Sequence, residues 1–219
     1  MKIKIDINIK INRVVKFLVL ADLIFLGGWS MVQPIFSVFV IRNIPGASLI
    51  VLGGVMALYW LVKSLLQIPV ANYLDTHDGE KDDFYALLIS LTLAAVAAFM
   101  LAITASLWQL FFAQFIYAVA MGFYVPSWSG IFSRHLDDKR FSFDWSLDST
   151  VVGLTSFVSA LLSGILAEAF GFSFVFFLVG TLSLISAVML FLVPNLIIPK
   201  EKKEETPIIR DHSVAGISR

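Results

Sequence analysis

Two ionisable side chains, Asp22 and Lys63, stand deep inside apolar sequence, in the stretches 14–41 and 48–72. An ionisable group at bilayer depth is costly and is by default a candidate for function. At the rise of an α-helix both would lie ~12–13 Å in from one membrane surface. An acid and an amine at matched depth on consecutive helices could form a structural pair, or a proton or substrate relay that breaks and re-forms. They could also stay apart, with Lys63 extending its stem to the surface and leaving Asp22 to protonate. Tyr59, Lys63 and Gln67 are spaced by four and share one helix face. Trp29, Ser30 and Gln33 adjoin Gly27, Gly28 and Pro34, a combination that loosens a helix and frees backbone groups. That is tolerable where a cavity or a neighbouring helix satisfies those groups. Taken singly, each of these Gln and Trp residues is better explained by helix packing.

The elements that must position these residues are six long apolar stretches, at 14–41, 48–72, 84–105, 107–132, 147–170 and 173–198. Each exceeds the ~20 residues that a helix needs to cross a hydrocarbon core. A soluble chain of 219 residues could bury one or two such helices but not six in succession. An open sheet in lipid would leave edge groups unpaired, and a barrel would show alternating segments of ~10 residues. The expected fold is therefore an all-α bundle of six transmembrane helices over 14–198, with an N-terminal arm at 1–13 and a polar tail at 199–219.

Composition agrees: 58% of residues are hydrophobic and 15% charged, and the net charge of zero offers nothing to nucleic acid. The absence of cysteine excludes disulfides and thiolate metal sites, and no cofactor or metal is expected. Of the 16 basic residues, 14 fall in the polar segments 1–16, 73–83, 134–144 and 199–219, against Arg42 alone in the opposite connections. By the positive-inside rule both termini are expected in the cytoplasm, which suits a multi-pass protein of the plasma membrane. The arm alternates Ile with polar residues, as a short strand or an interfacial segment would. Asn43, Pro45 and Gly46 separate the first two helices. Asp82, Asp83, Asp144 and Asp148 stand near helix starts, where they would complement the positive dipole end. Ala118 with Gly122, and Ser156 with Ala160 and Gly164, are small residues one turn apart, the pattern of close helix contacts. His77, His135 and His212 lie in polar segments outside any metalloprotease pattern, and no membrane-depth Ser–His or paired-Asp motif stands out, so an enzyme is not expected.

In this order of features the chain resembles the N-terminal six-helix half of a major facilitator superfamily transporter. The likeness rests on Gly27-Gly28 to Pro34, on Gly46-Ala-Ser48 with Leu52-Gly53, and on Ser163-Gly164-Ile-Leu-Ala167 followed by Phe170-Gly171-Phe172. The family's loop motif after the second helix keeps Asp75, but Ala71 and Thr76 replace its first Gly and its Arg, and Gly79 comes one residue late. On the fourth helix Gln114, Ala118, Gly122 and Pro126 occupy the spacing of the family's Arg, two Gly and Pro. Ser159 and Ala160 stand where the antiporter signature has Gly-Pro. The resemblance implies transport of a small solute by an alternating-access secondary carrier. Asp22 and Lys63 would be ionisable groups of the pathway, Gln67 and Gln114 polar contacts, and Asp75 with Gly79 a remnant of the cytoplasmic gate. Family members normally join two such halves, related as parallel repeats. The implied partners are the lipid bilayer, a small-molecule substrate of unknown identity, and a second copy in a homodimer or a separate six-helix half. The alternatives are a non-transporting membrane subunit or scaffold, and a remnant of a truncated transporter.

Overall fold

In hydrocarbon every backbone N–H and C=O must find its partner within the protein, so long apolar runs close their own hydrogen bonds as helices. The computed structural model describes residues 13–77, 80–136 and 140–192. Among them are α1 (Arg13–Trp29), α2 (Val32–Asn43), α3 (Leu49–Thr76), α4 (Glu80–Ala102), α5 (Leu107–Arg134), α6 (Phe141–Phe170) and α7 (Phe172–Phe191), with no strand. Six spans are long and apolar enough to cross a membrane, α1 and α2 together forming the first. The six-helix all-α architecture expected from the sequence is the one observed. The alternating arm and the polar tail lie outside the described residues.

The first span is broken where its composition pointed. Met31 N–H bonds to the Gly28 carbonyl in a tighter turn, and the Ser30 hydroxyl donates to the Leu26 carbonyl at 2.7 Å. Pro34 then sits in the first turn of α2, where a missing N–H costs little. The turn after α2 uses Gly46 at φ 78°, a left-handed conformation that favours glycine. Ser48 and Ser106 cap α3 and α5, each hydroxyl accepting an N–H of the following turn.

Packing runs from α3 to α5, then α4, α7 and α1, and ends at α6. The first and second spans are joined by a short turn yet are not close neighbours, since α3 lies mainly against α5. Gly122 of α5 permits that approach: a Cβ there would stand 2.9 Å from Leu66 Cβ and 3.6 Å from the Lys63 carbonyl. The Ala118–Gly122 pair thus works as expected. On α6 only Ser156 of the small-residue set meets another helix, at Ser30. Ala160 and Gly164 face outward, with nothing within 4 Å of a Cβ built at Gly164.

At the ends of the packing order, α3 and α6 are mostly exposed, whereas the other spans are about half buried. The buried residues of α6 are all polar: Asp144, Asp148, Ser159 and Ser163. This helix begins at Phe141, six residues before the expected start at 147. Asp144 therefore lies in its first turn, but Asp148 is carried about two turns into the helix and cannot serve its N-terminus.

Candidate functional site

A cavity of about 650 Å³ opens among α1, α2, α3, α5 and α6, with Leu101 of α4 closing part of its wall. Its position follows from the break in the first span, which exposes the Trp29–Ser30 corner to the bundle interior. Trp29 is held there by its indole N–H, which donates to Ser183 Oγ at 3.2 Å, and Ser30 by a 2.6 Å hydroxyl contact with Ser156. Tyr117 stacks on Trp29 with ring centroids 3.7 Å apart, and Tyr59 stacks on Tyr117 at 5.3 Å. Trp60 continues the series by an edge contact with Tyr59 at 5.2 Å. One aromatic ladder thus crosses from α1 through α5 to α3, by two stacked contacts and one edge contact.

Polar contacts in the cavity come from uncharged groups: Ser30, Gln33, Ser37, Gln114 and Ser156, together with the two tyrosines. Neither an acid nor a basic side chain lines it among the described residues. Such a surface can stack on flat or apolar faces and orient a solute through a few hydrogen bonds.

Of the residues singled out from the sequence, Trp29, Ser30, Gln33, Tyr59 and Gln114 line this cavity, whereas Asp22, Lys63, Gln67 and Asp75 lie around it. Gln114 is buried and lines the wall. Lys63 is half-buried on α3 beside the ladder, its ammonium 4.9 Å from the Trp60 ring centroid and 5.7 Å from that of Tyr59. That geometry is a cation–π contact and leaves no ion pair with Asp22. Gln67, one turn further along α3, is half-buried and does not line the cavity. Asp75 is exposed at the end of α3, and Gly79 lies outside the described residues.

Asp22 is buried at 3% exposure, one turn beneath the cavity residue Leu26. Lys63 forms no ion pair with it, and the buried Asp148 stands on α6, which packs against α1. Pairing failed for a reason of packing, since α3 stands against α5 and turns Lys63 away from α1.

A charge cluster does form at the end of the bundle that carries the α3–α4 turn. Arg134 of α5 is ion-paired with the buried Asp83 of α4, and Glu80 approaches Arg134 at 3.9 Å and His135 at 3.7 Å. Asp83 therefore does more than complement the start of α4. Sequence reasoning missed this cluster, together with Tyr117, Trp60 and Asp148 as interior groups. Tyr117 was within reach, because Gln114, Tyr117 and Met121 follow the i, i+3, i+7 spacing of one helix face.

A sequence profile described as Major Facilitator Superfamily matches residues 18–215. No curated protein sequence matches the chain. Among solved structures, the chain is similar to the in meso crystal structure of the POT family transporter PepTSo, with TM-score 0.72 and 17% sequence identity. The superposition covers 88% of this chain and 40% of that one, so the chain spans less than half the length of the transporter it resembles.

Proposed function

The chain belongs to the major facilitator superfamily, and from that premise we propose that it carries a small solute across a membrane by alternating access, as half of a secondary carrier. The second half is another copy of this chain in the same orientation, or a separate six-helix partner. The observation that supports this reading most is the cavity itself. Its walls on α3 and α6 belong to the two most exposed spans, so a second bundle packed along them would enclose it. Parallel repeats related by an axis along the membrane normal bring equivalent helices together in that way. The positive-inside bias favours a cytoplasmic location for both termini.

Within this reading Gln114, Trp29 and Tyr117 contact the solute. Lys63 belongs to the rim of the site through Trp60, and Gln67 to the path that continues along α3. Asp22 belongs to the pathway one turn beneath the site. Asp75 and Gly79 form what remains of a gate at the α3–α4 turn.

The natural absence of cysteine makes the test direct. Ser37→Cys and Ser156→Cys would each place one thiol in the cavity of the full-length protein, reconstituted in liposomes. Alternating access predicts modification by a membrane-impermeant maleimide applied from either side. Reaction from a single side only, unchanged by any solute offered, would instead indicate a non-transporting subunit.

A further inference from the structure

Only some of the cavity's polar groups are used by the fold. The Trp29 indole N–H is taken by Ser183. The Ser30 and Ser156 hydroxyls face each other at 2.6 Å, and Ser30 also donates to the Leu26 carbonyl. By contrast, the side chains of Gln33, Ser37 and Gln114 and the hydroxyls of Tyr59 and Tyr117 have no hydrogen-bond partner among the described residues. Gln114 matters most, because it is 5% exposed and yet lines the cavity unpaired. A buried amide is rarely left unsatisfied, so its partner belongs to whatever occupies the cavity.

Aromatic surface is distributed as unevenly. Tyr117 is engaged by stacking with both Trp29 and Tyr59. Trp60, at the outer end of the ladder, meets Tyr59 only by an edge and is 59% exposed. Its indole is therefore the broadest platform that the ladder leaves open. Gln114 lies one turn from Tyr117 on α5, and ring-to-ring steps of 5.3 and 5.2 Å lead from Tyr117 to Trp60. Amide and platform are within the span of one fused-ring molecule, for which a cavity of about 650 Å³ has room. Charge selects further. No ionised side chain lines the cavity among the described residues, and Lys63 at the rim would repel a cation. Its ammonium already rests over the Trp60 and Tyr59 rings. An ion brought beside Gln114 would leave water for uncharged amides and hydroxyls, which recover its hydration only in part.

We propose that the cavity recognises a flat, uncharged heteroaromatic solute whose ring edge presents a hydrogen-bond donor beside an acceptor, as a nucleobase does. This rests on the transport reading, for which it names the substrate class. The ring stacks on Trp60, an interaction that any heteroaromatic face can make. The Gln114 amide, donor and acceptor at once, pairs with the ring edge. Gln33 and Ser37 remain for substituents on the ring. A ring of the same shape without the donor would leave the Gln114 carbonyl unpaired, and the site would discriminate against it.

The test is equilibrium dialysis of the full-length protein in native nanodiscs, which retain any partner half, against discs from membranes lacking the chain. The probe is N9-methyladenine, which is neutral and carries the donor–acceptor edge. N9-methylpurine has the same rings without the donor, and a third analogue bears a carboxylate in place of the amine. Saturable binding of N9-methyladenine is expected, with N9-methylpurine at least about fivefold weaker and the carboxylate unbound. Trp60→Ala should weaken N9-methyladenine about tenfold. Gln114→Leu, close to the parent in volume, should bind the two methylated rings equally. Absence of saturable N9-methyladenine binding overturns the proposal. So does tighter binding of the carboxylate, which would make this an anion site, or a preference that survives Gln114→Leu. If the probe binds but the Ser37→Cys thiol reacts from one side only, the carrier reading falls and this site stands. Reaction from both sides without probe binding removes this inference alone.

Discussion

Tyr117 shows how a single side chain joins the helices of the site. It lies between Trp29 and Tyr59, so its ring couples α1 to α3 across α5, although these two helices are not close neighbours. In lipid the association of helices rests on packing and interhelical hydrogen bonds, because the tails outside are as apolar as the core. Tyr117→Ala should therefore lower stability by about 3 kcal/mol, in the range of buried aromatic truncations. Tyr117→Phe preserves the stack and should stay near the parent in thermal unfolding in detergent. The sequence displayed the residues of this ladder without its order, since only their arrival from three helices makes them neighbours. Asp22 illustrates the same limit. Its depth could be read from its distance along the apolar stretch, whereas α6 and α7, the helices packed against α1, lie in the far part of the chain.

At the level of elements, the α4–α5 pair is locked at one end by the Arg134–Asp83 ion pair. Asp83 is buried, so removing Arg134 leaves an unmatched charge, whereas removing both leaves none. Arg134→Ala should cost about 1–3 kcal/mol. The Asp83→Asn/Arg134→Ala double variant should recover part of that loss in the same unfolding assay; strictly additive losses would mean that the pair contributes nothing. A second element-level feature is the seat of Gly180 on Phe99, where an added Cβ would stand 2.6 Å from the ring. Gly180→Val should loosen the α4–α7 contact by about 1–3 kcal/mol, as overpacking does. Small residues at one-turn spacing could be read along the chain, but not which of them meet a helix of the same chain. Gly122 does so; Ala160 and Gly164 face outward.

For the whole molecule, the outward faces of α3 and α6 are where the half-carrier reading is decided. If a second half packs there, Ala160→Trp and Gly164→Leu on α6 should leave the folded chain intact while breaking the assembly. Native mass spectrometry from nanodiscs would then change from a two-half complex for the parent to a single ~24 kDa chain, the mass scale of one copy. A parent already found as one chain would refute the half-carrier arrangement.

The number of the spans and the break in the first were legible in the sequence by itself, as was the placing of Asp22 and Lys63 inside them. Each follows from a local condition: the thickness of hydrocarbon, the need to close backbone hydrogen bonds, and the missing N–H of Pro34. Only the tertiary structure decided that Lys63 meets Trp60 rather than Asp22, and that Asp148 lies buried inside α6 rather than at its start. Those outcomes depend on which helix lies beside which and on where α6 begins. Helices of equal apolarity carry little local signal for their choice of neighbour, because lipid and protein interior offer them similar surroundings.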